Sequence, residues 1–314
     1  MAGAFERILI LADIEGSSGC WSYRASSFLT PEWARACLDM TRDVAVVVTA
    51  LLNAGVRRIV VKDFHRTAYN LLAECIDPRV RVVSGYRRGA VPGIGSAGGF
   101  QAAMFVGMHA AAGTDGFLAH TLTSRLSRLE VNGRPLPEIS LFAAALAPFD
   151  IRPVFFSGCP VACRQAAQVL PAIHTYAIDK SRDLAAFDTA QWRTGLAQSA
   201  VAALNNHDAG AHRPEGPFQV FISARDGERA ALKMARRWGF AAENSSIVFQ
   251  APDIHTLYLQ LIRLCYLTPA LEKFLPLTLP LFNLKGRLGL AWVRRRLRRE
   301  GLLSPHPASR SAPP

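Results

Sequence analysis

The sequence predicts an α/β protein with a mainly parallel sheet, helices on both of its faces, and a smaller appended α/β region. Three observations predict this fold class. Short apolar runs typical of buried strands alternate with segments of helical periodicity, and the connections between them are short. The chain of 314 residues is also long enough to bury a large core.

The first strand and helix are predicted from apolar runs, caps and turn residues. Residues 8–13 form an apolar run that ends at a Gly-Ser-Ser-Gly turn, as expected for a buried strand. Thr30 is a favourable N-cap, Pro31 suits the first helical position, and Gly55 ends the helix. Between them, apolar residues recur at spacings of four and three on one helical face: Trp33, Cys37, Met40, Val44, Val47 and Leu51.

The remaining elements of the first 180 residues continue this alternation. We expect strands over 57–63, 80–85, 102–108 and 152–158, a helix over 138–146, and a strand with a turn at Asn132-Gly133 over 127–136. Alternation of this kind, with short connections, is typical of a parallel sheet covered on both faces.

The second half of the chain also alternates predicted helices and strands. We predict helices over 185–205, 225–238 and 254–266, and strands over 218–223 and 245–251. The polar segment 205–217 is the best linker candidate. The expected organisation is therefore a metal-binding catalytic α/β domain over 1–184, a smaller α/β region that completes the fold over 185–270, and a hydrophobic and basic tail over 271–314. The Ser/Pro/Ala-rich end, 304–314, is expected to be disordered.

Charge and cysteine content restrict the class of protein. Residues 285–314 carry eight basic residues and one acid, so they hold most of the net charge of +12, and the body does not resemble a nucleic-acid binder. No signal peptide or membrane-spanning run is visible, which favours a cytoplasmic location. The six cysteines are scattered and do not form a secretory disulfide framework. Cys159 and Cys163 are interpreted as core or loop thiols.

Polar side chains cluster where predicted strands end. Asp13 and Glu15 follow the first strand, His65 follows the second, and His109 follows the run 102–108. In an open parallel sheet, ligands bind beyond the carboxyl ends of the strands. Carboxylates and imidazoles together suit Zn²⁺ or Mn²⁺. Taken singly, a histidine after a strand is more typical of an ordinary turn or core residue, and the Asp13–Glu15 pair of a solvated loop, than of a metal ligand.

Five short motifs in one order resemble the D-aminopeptidase family of two-zinc metallopeptidases, peptidase family M55. They are DIEG at 13–16, DFH at 63–65, GMHA at 107–110, His120 eleven residues after His109, and NGRPLPE at 132–138. Each motif is weak alone, but five in register over about 130 residues are specific. The resemblance extends to about residue 265 and has no counterpart for the tail.

The resemblance implies a ligand set and a reaction. It makes Asp13, Glu15, His65, His109 and Glu138 the ligands of two zinc ions per subunit, with Asp13 as the bridge, and it gives His120 a direct catalytic role. It implies hydrolysis of an amide bond that releases an N-terminal D-amino acid from a short peptide, by a ring-like homo-oligomer. Phe64 and Pro137 depart from the family pattern, which normally has a small residue and a glycine there, and bear on substrate fit.

Other functions stay open at the level of sequence. A two-metal hydrolase of another amide or of a phosphoester has the same ligand chemistry. A metal-stabilised interaction module without catalysis is the alternative that is not an enzyme. The segment Gly93–Gly98 matches the dinucleotide pattern GxGxxG, but it does not join a strand to a helix, so we interpret it as a loop bordering the site.

The basic tail has two interpretations. Residues 282–300 mix leucine, tryptophan and valine with clustered arginines, which is typical of a peripheral contact with an anionic membrane surface. A solvated or subunit-contacting terminal helix is the alternative.

Overall fold

The computed structural model describes residues 5–181 and 183–303. Within these residues the central sheet has six strands in the order β3-β2-β1-β4-β7-β8, and every pairing is parallel. The strands are β1 (Arg7–Ala12), β2 (Arg58–Asp63), β3 (Arg81–Val83), β4 (Ala102–Met108), β7 (Arg152–Gly158) and β8 (His174–Ala177). The order reverses between β1 and β4, which makes the gap between their carboxyl ends the switch point of the sheet.

A second, antiparallel sheet lies beside the first. Counted over the described part of the chain it has five strands in the order β10-β11-β9-β5-β6. The strands are β5 (Leu126–Val131), β6 (Arg134–Pro135), β9 (Phe218–Ala224), β10 (Ala242–Glu243) and β11 (Ser246–Ala251). Because β5 pairs with β9, this sheet draws strands from both halves of the chain.

Helices cover both faces of the central sheet, as the sequence predicts. They are α1 (Pro31–Asn53), α2 (Glu138–Leu146), α3 (Pro160–Val169), α4 (Thr189–Ala202), α5 (Glu228–Arg236), α6 (Ile254–Tyr266), α7 (Pro269–Lys273) and α8 (Leu275–Arg299). Alternate residues of β1 enter different cores, since Leu9 and Leu11 pack with α2, α3, α6 and the second sheet, while Ile8 and Ile10 pack with α1, α4 and α8.

Most predicted elements are confirmed within one to three residues. The helix begun by Thr30 and Pro31 is α1, and the Thr30 hydroxyl accepts the Trp33 N–H as an N-cap. Asn132 and Gly133 both have positive φ, which is the primed turn expected of the hairpin between β5 and β6. Strand β8 is an addition, because its short and half-polar sequence carries no clear strand signal.

The tail beyond residue 270 is largely helical and packs on the body. Helix α8 continues through Pro280 and buries Gly286, Gly289 and Leu290 against the α1 side of the molecule. In the described chain no helix combines the length and the apolar character that crossing a membrane requires. The expectation of disorder for 304–314 lies outside the described residues.

Candidate metal centre

The predicted ligands lie at the switch point of the central sheet. Asp13 and Glu15 follow β1, His65 follows β2, and His109 follows β4, so three neighbouring strands deliver them to one edge. Glu138 is the first residue of α2, which begins directly after the hairpin of β5 and β6. All five side chains are buried, with exposed fractions between 3% and 8%.

Two glycines allow the ligand-bearing segments to come this close. Gly16 donates its N–H to the carbonyl of Gly107 at 2.8 Å, so the loop after β1 lies directly on β4. A Cβ on Gly16 would be 2.2 Å from the Met108 carbonyl oxygen, and one on Gly107 would be 2.2 Å from that of Asp13. Gly107 also has a φ of +78°. The glycines of the DIEG and GMHA motifs are therefore packing requirements of the site.

Asp13, Glu15 and His65 form the first group of possible ligands. The Nδ1 atom of His65 lies 3.1 Å from Asp13 Oδ1 and 3.1 Å from Glu15 Oε2. One donor atom from each of the three residues lies within 4.8 Å of the others. The contact with Asp13 has hydrogen-bond geometry, whereas Glu15 Oε2 accepts no hydrogen bond within the described residues although it is fully buried.

His109, His120 and Glu138 form the second group, under the same distance limit. His109 Nε2 lies 3.6 Å from Glu138 Oε1 and 3.4 Å from Asp13 Oδ2. Asp13 thus directs one carboxylate oxygen to each group, as expected of a bridging ligand. The ring of His120 stacks on that of His109 with centroids 3.8 Å apart. His120 therefore lies inside the cluster, closer to the possible ligands than the sequence alone indicates.

Backbone carbonyls orient the three imidazoles. His65 Nε2 lies 2.9 Å from the Ser26 carbonyl, His109 Nδ1 lies 3.1 Å from that of Ala110, and His120 Nδ1 lies 2.8 Å from that of Leu118. A carbonyl only accepts hydrogen bonds, so each of these nitrogens carries a proton. For His65 and His109 the other ring nitrogen faces carboxylates of the site, which is the usual arrangement around a metal.

Burial and the dense packing of charges shift several pKa values. Burial raises the pKa of Glu138 to about 7, with Asp13 adding to the effect and His120 opposing it. Burial opposes the charged form of His65, but Glu15 and Asp13 outweigh it and raise the His65 pKa to about 10.

The pKa values of two further residues in the site, Glu15 and His120, are lowered. Burial alone would raise the pKa of Glu15, but attraction to His65 outweighs it and holds that pKa well below its usual range. Burial and repulsion by His109 lower the pKa of His120, which is therefore neutral at pH 7.

The residues fit a divalent metal. Asp13, Glu15 and Glu138 bring three buried carboxylates into one pocket, where like charges repel and desolvation is costly. His65 can neutralise only part of this charge, and Glu15 Oε2 is left without a donor. Carboxylate oxygens and imidazole nitrogens are the ligands that zinc takes in proteins. A divalent cation would bind the Glu15 oxygen that accepts no hydrogen bond, and its positive charge would favour the ionised form of the surrounding carboxylates.

A supporting layer, which motif reading does not identify, holds the loop after β2. The Asp63 carboxylate accepts the backbone N–H groups of His65, Asn70 and Leu71, together with the Asn70 side-chain amide. Asn70 in turn accepts the indole N–H of Trp33 at 2.9 Å. Asp63 therefore positions His65 and is not itself grouped with the ligands. The only feature of the sequence that points to this role is the position of Asp63 as the first residue of the DFH motif.

Phe64 packs in an aromatic cluster beside the loop that carries His65. The Phe64 ring packs on Phe142 with centroids 4.6 Å apart and on Tyr86 at 5.9 Å, and the Tyr86 hydroxyl donates to the Phe64 carbonyl. Cys159 and Cys163 are buried free thiols at the start of α3, as predicted, and all six cysteines lie in the described chain without a disulfide.

Comparison with known proteins identifies relatives with this organisation. A D-aminopeptidase of Bacillus subtilis (strain 168) is 24% identical over 259 residues, which cover 80% of this chain and 94% of the relative. A solved structure described as "Zn-dependent D-aminopeptidase DppA from Bacillus subtilis, a self-compartmentalizing protease" superposes with a TM-score of 0.73 at 23% identity. It covers 83% of this chain and 97% of that chain, which shows that the two proteins share the fold.

The family model supplies the family assignment. The model of Peptidase M55, D-aminopeptidase, matches residues 7–262, which include both groups of possible ligands and both sheets. The resemblance predicted from the five motifs is confirmed, and so is its expected end near residue 265. Since the match spans most of the described chain, the protein belongs to the Peptidase M55 family of D-aminopeptidases.

Proposed function

We propose that the protein is a two-zinc aminopeptidase that removes an N-terminal amino acid, of D configuration, from a short peptide. The observation that carries the proposal is the pair of donor groups joined by Asp13 at the switch point, in a chain of this family. The zinc dependence and D-specificity named for the Bacillus subtilis relatives support the choice of metal and substrate.

Each donor group would hold one zinc ion. Asp13, Glu15 and His65 would hold the first, and His109 and Glu138, with the second oxygen of Asp13, would hold the other. Bound there, the pair would supply Lewis-acid polarisation of the scissile carbonyl and an acidified water nucleophile. Loading the site requires His65 and Glu138 to give up the protons that their raised pKa values retain.

His120 is proposed as the residue that moves a proton during the reaction. Its Nδ1 donates to the Leu118 carbonyl, so Nε2 holds a free lone pair. One ring nitrogen of His120 lies within 4.8 Å of donor atoms of His109 and Glu138. The lowered pKa of His120 keeps this nitrogen unprotonated at neutral pH. Nε2 is therefore ready to accept a proton and deliver it to the amine that leaves.

The quaternary and cellular context is part of the same proposal. The relative described as self-compartmentalizing supports a homo-oligomer, which the family resemblance makes ring-like. The cytoplasmic location, the absence of a nucleic-acid partner, and the division at residues 184 and 270 stay predictions. Size-exclusion chromatography with light scattering measures the assembly directly.

The decisive experiment combines metal analysis with a substrate screen. We expect about two zinc ions per chain and hydrolysis of D-aminoacyl amides and short peptides in preference to the L forms. Asp13→Asn should lose both zinc and activity, because Asp13 serves both groups. Two bound zinc ions without amide turnover would instead favour a hydrolase of another bond, and a protein that binds no divalent metal would contradict the proposal.

A further inference from the structure

Helix α8 has an apolar face that nothing in the described chain covers. Leu277, Leu281, Leu284 and Leu288 follow one another at spacings of four, three and four residues, so they lie on one side of the helix. Their exposed fractions are 68%, 66%, 49% and 64%. The opposite side, with Gly289, Leu290 and Val293, is buried against the body. The helix is therefore apolar on its outer side as well as its inner side.

The same outer side becomes strongly basic toward the C-terminus of α8. Arg295 and Arg299 continue the row of leucines at spacings of seven and four residues, and Arg298 lies beside them. These three arginines are exposed, and among the described residues none of them has an acidic side chain within 4.0 Å. Lys285 and Arg287 flank the leucines on either side. Together with Arg294, the three arginines line an open groove on the surface.

The charge of α8 selects the kind of partner. The helix contains no aspartate or glutamate, so a parallel pair of two copies would bring six exposed arginines together. An antiparallel pair would cover the leucines, but α8 itself has no acid to place opposite the arginines. Helix α8 also lies beyond residues 7–262, so the surfaces shared by the family do not account for this face. An anionic surface with an apolar interior complements both the exposed leucines and the exposed arginines of α8.

We propose that the outer face of α8, from Leu277 to Arg299, docks the protein on an anionic phospholipid membrane. The leucines insert at the boundary between headgroups and acyl chains, while the arginines contact lipid phosphates. Arginine suits this task because its planar guanidinium binds phosphate oxygens in a bidentate manner. The helix lies on the surface without crossing it. The inference is independent of the peptidase reaction.

Co-sedimentation of the full chain with vesicles tests the proposal. We expect binding to phosphatidylcholine vesicles that contain phosphatidylglycerol, weakening with added salt, and no binding to phosphatidylcholine alone. The triple variant R295Q/R298Q/R299Q should bind roughly 100-fold more weakly, since each basic residue near an anionic surface contributes about a fivefold factor. The variant L277S/L281S/L288S should also bind at least about tenfold more weakly.

A matched control removes the same charge elsewhere. Arg229 and Arg236 are exposed on α5 and Arg237 is exposed at its C-cap, and R229Q/R236Q/R237Q should bind vesicles as the unmodified protein does. All replaced side chains are exposed, so thermal unfolding should be unchanged in each variant. Equal loss in the α5 control would overturn the proposal, because binding would then follow net charge alone.

Three further outcomes would also contradict docking of α8 on a membrane. Vesicle binding that survives the leucine variant would indicate a purely electrostatic partner such as nucleic acid. Full displacement by inorganic phosphate would indicate a site for the free anion. The protein could instead self-associate and fail to bind vesicles. If the leucine variant abolished that self-association, the face would be assigned to contact with a second copy of the chain.

Discussion

At the scale of single residues, Asp13 explains how two donor groups become one site. Its Oδ1 faces His65 and its Oδ2 faces His109, so one side chain links ligands that follow three different strands. Glu15 lies on the same strand end with an orphaned oxygen. Two adjacent carboxylates are an electrostatic cost in an empty pocket and an advantage beside a cation.

Replacing His120 separates catalysis from metal binding. We expect His120→Ala to retain zinc on the five proposed ligands and to lose about 10²–10⁴-fold in kcat, the usual contribution of a proton-transfer group. Metal analysis and steady-state kinetics on the same preparation measure both. His255→Ala, on the exposed side of α6, is the matched control and should be normal. Loss of one zinc from the His120 variant would instead assign His120 as a ligand.

Zinc binding should release protons. At about pH 6, Glu138 with a pKa of about 7 and His65 with a pKa of about 10 both retain protons that a metal must displace. Calorimetry in buffers of different ionisation enthalpy should therefore show release of about two protons at pH 6 and about one at pH 8.5. The apparent zinc affinity should rise over this range. Proton release that does not change with pH would argue against the raised pKa of Glu138.

The close approach at Gly107 can be tested against a glycine in the same conformation. Gly107 and Gly133 both have φ near +75°, but only Gly107 has backbone atoms where a Cβ would go. We expect Gly133→Ala to cost roughly 1–2 kcal/mol from the left-handed conformation alone. Gly107→Ala should cost a further 1–3 kcal/mol or so from crowding, and should lower zinc content by displacing Asp13. Urea unfolding and metal analysis distinguish the two.

At the scale of elements, α1 and α4 together hold the loop that follows Glu15. The buried Asp43 of α1 accepts the N–H and hydroxyl of Ser18, both at 2.7 Å, and pairs with Arg193 of α4 at 2.7 Å. Arg193 also binds Asp39 at 2.9 Å. Burial raises the pKa of Asp43, and Arg193 is the main opposing influence. The arginine therefore favours the charged form of a loop-binding carboxylate inside the protein.

Removing Arg193 should leave Asp43 as an uncompensated buried charge. We expect Arg193→Met to lower the free energy of unfolding by about 3–5 kcal/mol near neutral pH. The loss should shrink toward acid pH, because burial raises the folded pKa of Asp43. The contribution of such a carboxyl to stability is complete below its unfolded pKa and is lost as the pH rises through its folded pKa. The double variant D43N/R193M should lose less than the sum of the single losses. Additive losses in urea unfolding would show that the two residues are not coupled.

At the scale of the whole molecule, the candidate metal centre lies where segments from both sheets meet. Its residues come from three strands of the parallel sheet and from α2, which follows the antiparallel sheet. The two sheets share one core with α2, α3 and α6. We therefore expect metal bound at the candidate centre to stabilise contacts of both sheets at once.

Chelation should destabilise the entire fold in one transition. A ligand that binds only the folded state adds about 4 kcal/mol when present at a thousand times its dissociation constant. We expect the thermal midpoint to fall on treatment with a chelator and to recover on addition of zinc. Asp13→Asn should show no zinc-dependent shift. If the thermal unfolding midpoint of the unmodified protein did not depend on zinc, the candidate centre would not contribute to stability.

Much of the fold was predictable because its signals are local. Apolar runs, helical spacing and the Thr30-Pro31 cap identify β1 and α1, and strand ends identify Asp13, Glu15, His65 and His109. Strand β8 was missed, because a short edge strand with half-exposed residues leaves little periodicity. The supporting roles of Asp63, Asn70 and Arg193 were also missed, since hydrogen-bond partners distant in sequence carry no spacing signal.

The helices and strands, the family motifs and the chemistry of the candidate ligands can be read from the amino-acid sequence, because these depend on residue type and on neighbours along the chain. The pairing of β5 with β9, the stacking of His120 on His109 and the outward side of α8 are visible only in the folded molecule. Each of these results from contacts between residues far apart in the chain. Packing the whole core selects them, and no local pattern encodes that choice.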